Sequence, residues 1–165
     1  VSRISGLTFA EYMKQHLFSN IGMSDSYIFD DTAVFDPDTA LNFARTTQIH
    51  GKDFWITGTA GQISSTPDML RFIEAFASDA IISQDSKAIM LQKYADIIFG
   101  GGYGYGIGSF NAQRQVFGHT GGHDGYRTIY VYSTAKNAAI VIMGNGGDLL
   151  PEFTYLIDLV GEFVK

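Results

Sequence analysis

Between Phe99 and Met143 the apolar residues of this chain stop recurring every three or four positions and instead alternate with glycine or polar residues. A period near 3.6 specifies a helix and a period of two a half-buried strand, so the chain reads as a helical part followed by a sheet-forming part. Phe99-Gly100-Gly101-Gly102-Tyr103-Gly104-Tyr105-Gly106-Ile107-Gly108 alternates glycine with bulky side chains. That pattern predicts a strand against which another backbone lies closely. It holds no G-x-G-x-x-G, so a phosphate cradle fails on spacing. Further strands are expected over 115–119, 127–132 and 137–143, with Thr134-Ala135-Lys136-Asn137 as the tight turn joining the last two.

The helical part carries its own start signals. Thr8 with Glu11 three residues on is a capping box, and Phe9, Tyr12, Met13, His16 and Leu17 follow at helical spacing, predicting a helix over 8–19 stopped by Gly22. Thr66-Pro67-Asp68 predicts a second start, with Thr66 as cap, Pro67 first in the helix and Met69, Leu70, Phe72, Ile73 and Phe76 buried. Ser83 caps a third helix over 84–94. Asp148 and Pro151 open a last one over 148–165, whose inward residues include Phe153, Leu156, Val160 and Phe163. Residues 24–63 lack periodicity and read as a long loop. The expected fold class is therefore α+β: an antiparallel β-meander with helices packed on its faces. It is one partial domain: 1–98 mainly helices and a long loop, 99–147 antiparallel strands, 148–165 a C-terminal helix.

Composition narrows the function classes. Of 165 residues 45% are hydrophobic and 17% charged, a globular balance. The net charge of −6 and the lack of a basic run argue against nucleic acid or an anionic membrane surface as partner. With no cysteine there is no disulfide or thiolate metal site. No apolar run reaches the ~18 residues of a membrane span. The chain opens at Val1, with no initiator Met or signal peptide, directly ahead of a helix signal, and is expected to be a piece of a longer protein.

Gly118-His119-Thr120-Gly121-Gly122 carries the chemistry. An imidazole at His119 can move a proton or supply charge near neutral pH. The Thr120 hydroxyl can bond an anionic group. Gly121 removes a side chain so that a ligand backbone can lie against the strand. The Gly122 N–H can face a developing oxyanion, a role worth roughly 3–4 kcal/mol when preorganised. His119, His123 and Asp124 fit no strong metal-ligand spacing, so neither a metal nor another cofactor is expected. Asp124 and Arg127 read as bend-fixing or solvent-facing residues.

Phe117-Gly118-His119-Thr120-Gly121-Gly122 resembles the third motif of penicillin-recognising serine hydrolases, in the class C β-lactamase and D,D-peptidase branch where His replaces the Lys of K-T-G. Phe9-Ala10-Glu11-Tyr12, Gly22-Met23-Ser24-Asp25-Ser26, the run from Ala60 to Phe72, Tyr103-Gly104-Tyr105-Gly106 and Ile140-Val141-Ile142-Met143-Gly144-Asn145 are similar to other parts of that branch, in the same order. The resemblance implies the C-terminal part of a β-lactamase/transpeptidase-like fold. It implies an acyl-serine hydrolase parent acting on a D-alanyl peptide, a β-lactam or a small ester, a peptidoglycan-like or other small-molecule substrate. It also implies an extracytoplasmic setting: periplasm, cell surface or secreted. Asn145 resembles a position that helps hold a substrate carboxylate; Asn145-Gly146-Gly147 reads equally as a turn.

The family's S-x-x-K and Y-x-N motifs are expected upstream of Val1. Ser133-Thr134-Ala135-Lys136 spells the first motif but in a turn, and Ser109-Phe110-Asn111 spells S-x-N at a strand end; neither context suits catalysis. The chain alone is thus expected to lack hydrolase activity. A non-catalytic binding or interaction module that keeps the groove is the alternative. By the resemblance the last strand would pair with strands of the missing N-terminal half. Residues 138–143 are therefore expected to be a bare edge prone to self-association.

Overall fold

The computed structural model describes residues 1–29, 43–44, 47–48, 59–96, 101–111, 116–123, 125–145, 160 and 162. Its centre is a six-stranded antiparallel sheet in the order β10-β9-β8-β7-β6-β5. The strands are β5 (Ala95–Asp96), β6 (Gly102–Tyr103), β7 (Gly108–Asn111), β8 (Val116–His123), β9 (Tyr126–Ser133) and β10 (Ala138–Gly144). Neighbours in sequence are neighbours in the sheet, so this is a meander, and the fold is α+β with helices against the sheet. Two short ladders stand apart from it: β1 (Tyr27–Ile28) with β4 (Gln62–Ile63), and β2 (Phe43–Ala44) with β3 (Thr47–Gln48). The first ladder ties together the two ends of the stretch expected to be one long loop.

Local chemistry sets the helix boundaries. α1 (Ser2–Ser5) ends at Gly6 in the left-handed region. α2 (Phe9–Met13) starts from the capping box: the Glu11 N–H donates to the Thr8 hydroxyl at 3.2 Å and the Thr8 N–H to the Glu11 carboxylate at 2.8 Å. The expected helix over 8–19 does not stay α throughout. Lys14–Phe18 is a π turn and Ser19–Ile21 a 3-10 turn. Gly22, at φ 73, then lets the Met23 N–H reach back to the Phe18 carbonyl at 2.9 Å.

α3 (Thr66–Ala77) begins one residue earlier than expected, because Ser65, not Thr66, is the cap, accepting from the Asp68 N–H. Leu70, expected inside, is 40% exposed; Ile73 and Phe76 are buried. α4 (Gln84–Leu91) is capped by Ser83 as expected but stops three residues short of Tyr94. The Lys87 ammonium finishes α3 from outside, donating to the carbonyls of Phe76 and Ala77.

The glycine-aromatic run is not one strand. It turns between β6 and β7, with Gly106 at φ 73. The close backbone approach is real at Gly104, where a Cβ would lie 2.0 Å from the Met90 carbonyl oxygen at the end of α4. β8 is longer than the expected 115–119 and carries the whole His-Thr-Gly-Gly run, while Gln115 lies outside the described residues. The turn of residues 134–137 is as expected, with Asn137 at φ 47 in the turn rather than in β10. Asp148, Pro151, Phe153, Leu156 and Phe163 lie outside the described residues; Val160 and Glu162 are helical.

Among the described residues three apolar clusters hold the layers together. Val116, Ile129 and Val131 pack with Val160 on one face of the sheet. Phe117 packs with Phe76 and Ile107 on the other, with α4 residues Met90 and Leu91 alongside. Phe18, Met23 and Ile28 join α2 and its continuation to Met69 and Phe72 of α3. Each buried Phe, Ile or Val contributes roughly 1.5–3 kcal/mol by leaving water.

Asp68 fastens this third cluster. It is fully buried, and it accepts from the Asp25 N–H at 2.8 Å, the Ser26 hydroxyl at 2.7 Å and the Arg71 guanidinium at 2.7 Å. Asp68 lies in the first turn of α3, where the helix dipole favours a negative charge, but its larger role is to bind the turn at residues 24–26 to α3.

Candidate active site

The site is built on β8 and on the side of it that β7 leaves open. β7 pairs with β8 only at residues 116–118, with an irregularity between Ser109 and Asn111. β9 pairs with β8 along its full length, from Val116 opposite Ser133 to His123 opposite Tyr126. From His119 to His123, then, the ladders among the described residues engage one edge of β8. The other edge presents backbone N–H and C=O groups that a ligand could meet.

Strand alternation sorts the side chains. Phe117 and His119 share a face, and Phe117 lies edge-on to Phe76 of α3, with centroids 5.1 Å apart. Tyr130, opposite His119 in register, lies edge-on to Phe72 at 6.2 Å. His119 therefore stands on the helix side of the sheet. Thr120 has the opposite parity, in register with Ile129 and, through it, Ile142. The structure thus brings His119 and Thr120 together along the strand but turns their side chains to opposite faces, so one ligand meets both only at the strand edge.

His119 is held at both ring nitrogens. Nδ1 lies 2.5 Å from the Thr120 carbonyl oxygen, and Nε2 lies 2.7 Å from the Tyr103 hydroxyl. A carbonyl oxygen only accepts, so Nδ1 carries a proton. In the neutral ring Nε2 is then the acceptor and the Tyr103 O–H donates to it. The two rings meet edge to face at 5.6 Å. Tyr103 is the site residue the sequence reading missed. The Tyr-Gly-x-Gly phrase signalled a strand, and no local signal pairs residues 16 apart. Burial, and secondarily the nearby Tyr103, push the Tyr130 phenol up to about 12, so it stays neutral beside the ring.

The glycines of the motif differ in what confines them. A Cβ on Gly118 would lie 2.1 Å from the Tyr130 carbonyl oxygen, so β9 itself forbids a side chain there. A Cβ on Gly121 would lie 2.4 Å from the Thr128 hydroxyl oxygen. The expected reason for Gly121, room for a ligand backbone, therefore has a competitor within the sheet. A Cβ on Gly122 would find ordinary contacts with Arg127 at 3.6–3.8 Å. Asn145 is half-buried, one residue beyond the row that joins Gly122, Arg127 and Gly144.

Ser133 does not form a nucleophile with Lys136. It is 2% exposed and its hydroxyl accepts the Lys136 backbone N–H at 3.3 Å, which stabilises the turn. Among the described residues no group of three or more His, Asp or Glu side chains could hold a metal ion; Asp124 lies outside them. Nor is any described helix long and apolar enough to cross a membrane.

An antiparallel meander with helices on its faces is the arrangement of a β-lactamase/transpeptidase-like fold. The beta-lactamase family model matches residues 1–165, and the chain belongs to that family. No curated protein matches it. Among solved structures it is similar to the octameric penicillin-binding protein homologue from Pyrococcus abyssi, at TM-score 0.79 and 23% identity over 97% of this chain and 39% of that one. It is also similar to a penicillin binding protein from Bacillus halodurans, at TM-score 0.77 and 18% identity over 96% of this chain and 52% of that one. D-amino acid amidase from Ochrobactrum anthropi SV3 superposes at TM-score 0.70 and 16% identity over 88% of this chain and 46% of that one. The chain thus spans about half or less of the length of these neighbours.

Proposed function

We propose that this chain forms one wall of the active site of an acyl-serine hydrolase, and that it has no hydrolase activity alone. The observation that carries the reading is β8: a His-Thr-Gly-Gly strand whose edge beyond Gly118 lies outside the β7 ladder. In this reading a substrate carbonyl is attacked by a serine supplied from outside the chain. The Gly122 N–H donates to the oxyanion, the Thr120 hydroxyl and Asn145 hold the substrate's anionic group, and Gly121 keeps the strand close to the substrate backbone. His119 tunes charge and protonation beside the acyl centre. The substrate class is a D-configured amide or peptide, a β-lactam or a small ester. Similarity to penicillin-binding proteins and to an amidase for D-amino acids supports the amide end of that range.

The experiment is labelling with a fluorescent penicillin and a fluorophosphonate, on the isolated chain and on the parent protein containing it. Labelling of the parent, weakened by His119→Ala, with the isolated chain unlabelled, is the expected result. Labelling of the isolated chain that disappears when one of its own serines is mutated would overturn the inactive-alone reading. A parent that folds, binds a D-Ala-D-Ala peptide and never becomes labelled would instead be a binding module.

A further inference from the structure

His119 could serve the proposed site in either of two tautomers and in two charge states, and the sequence motif does not choose among them. A free histidine side chain favours the proton on Nε2. Here the Thr120 carbonyl faces Nδ1 and can only accept, while a hydroxyl that can donate faces Nε2. Both contacts favour the other tautomer.

We propose that Tyr103 is a positioning residue for His119: its O–H holds the neutral imidazole as the Nδ1–H tautomer and keeps that ring in one orientation when Nε2 gains a proton. A phenol suits this task because its O–H rotates. It donates to a neutral Nε2 and, turned about its C–O bond, accepts from a protonated one. The ring can then pass between neutral and cationic forms with both partners kept and no movement of its own. A fixed donor such as a backbone N–H would repel the cation.

Among the described residues, the groups that face the ring from the packed elements are uncharged, which leaves the Tyr103 hydroxyl as its polar partner at Nε2. β6 presents Tyr103 and β9 presents Tyr130, whose own proton is retained up to about 12 by its burial and by Tyr103. α3 presents the uncharged rings of Phe72, against Tyr130, and Phe76, against Phe117. The backbone makes the reach possible: Gly104 lets the β6–β7 bend press against the end of α4, where the Tyr105 N–H donates to the Met90 carbonyl at 2.9 Å. A Cβ at Gly104 would meet the Met90 carbonyl, so the bend that follows Tyr103 favours glycine there. This assignment rests on β8 being the active-site wall for its purpose, but its geometry can be measured independently of turnover.

The test is a long-range proton–nitrogen correlation spectrum of the chain labelled with nitrogen-15 histidine, recorded with the ring neutral. His119 is identified by the signals lost in His119→Gln. The expected spectrum shows the proton on Nδ1. In Tyr103→Phe the Nε2 signal is expected to move toward that of an unbonded nitrogen, and the Nε2–H form to gain population. A chain grown with 3-fluorotyrosine, a stronger donor of the same shape, should move Nε2 the opposite way, and this arm stands even if Tyr103→Phe does not fold. A wild-type proton on Nε2, or a His119 spectrum unmoved by either change, overturns the proposal. Correct tautomers in a parent protein that never reacts with penicillin or ester would refute the hydrolase reading and leave the pair intact.

Discussion

Replacing Gly118, Gly121 and Gly122 one at a time with alanine separates what the fold demands of this motif from what a ligand demands. The same methyl group enters one strand at three places within five residues. At Gly118 it meets the Tyr130 carbonyl at 2.1 Å and the Val131 Cα at 2.9 Å, both backbone atoms of a central strand. Relief needs β8 and β9 to part by about an ångström, which overpacks the sheet by roughly 1–3 kcal/mol. The weakened ladder adds about 1 kcal/mol per hydrogen bond lost. Against this, alanine stiffens the unfolded chain by about 0.4–1 kcal/mol. The net expectation for Gly118→Ala is a loss of about 2–3 kcal/mol, whereas Gly122→Ala, with contacts of 3.6 Å and beyond, should change stability by no more than about 0.5 kcal/mol. Gly121→Ala should fall between, because the obstructing Thr128 hydroxyl can rotate away. The assay is urea denaturation followed by circular dichroism. With a slope of about 2 kcal/mol per molar, the midpoints should fall by about 1–1.5 M for Gly118→Ala and hardly at all for Gly122→Ala. Equal losses at 118 and 122 would show that β9 is not the constraint and refute the reasoning. Gly122→Ala also keeps its N–H, so in a labelled parent protein it should keep most of its reactivity.

Three further perturbations address other parts of the molecule. Asp68→Ala should cost about 2–3 kcal/mol by stranding the Asp25 N–H and removing one of the Ser26 hydroxyl's partners, and Arg71→Ala, which removes a half-exposed partner, under about 1 kcal/mol; urea midpoints in the reverse order would contradict the turn-fastening role. Because folding raises the Tyr130 phenol from near 10 to about 12, its contribution is complete below pH 10 and is lost as pH rises through 12; about 2–3 kcal/mol should disappear over that window, and Tyr130→Phe should abolish that part of the alkaline loss in melts at stepped pH. β10 is the terminal strand of the described sheet, so the chain is proposed to self-associate through it; light scattering should give a dimer that Val141→Lys weakens, and a wild-type monomer with cooperative melting would remove the idea.

Much of the architecture could be read from residues close together in the chain. Thr8 with Glu11, Ser83 ahead of α4, Gly22 as a helix stop and residues 134–137 as a turn are local events, settled by hydrogen bonds spanning three to five residues. The change of period at Phe99 marked the part of the sheet from β6 onward, though neither its start nor how it bends: β5 precedes Phe99 and was not foreseen, and Gly106 sits where one long strand was expected. The cap of α3 was misplaced by one residue because Ser65 and Thr66 offer the same hydroxyl, and only the backbone path decides which one faces the Asp68 N–H.

The His-Thr-Gly-Gly run was legible as a site candidate because its chemistry is written in consecutive residues. What the sequence alone determined is therefore an α+β meander of the beta-lactamase family and a strand bearing an imidazole, a hydroxyl and two glycines. Tertiary structure decided the rest. It set His119 and Thr120 on opposite faces, joined Tyr103 to the imidazole, gave Gly118 its reason in β9 and Gly121 a competing one there, and buried Asp68 under a turn 42 residues away. Those outcomes depend on strand register and on the approach of backbones far apart in the chain. Neither leaves a local trace, because a glycine or a tyrosine reads the same in sequence whatever later comes to lie against it.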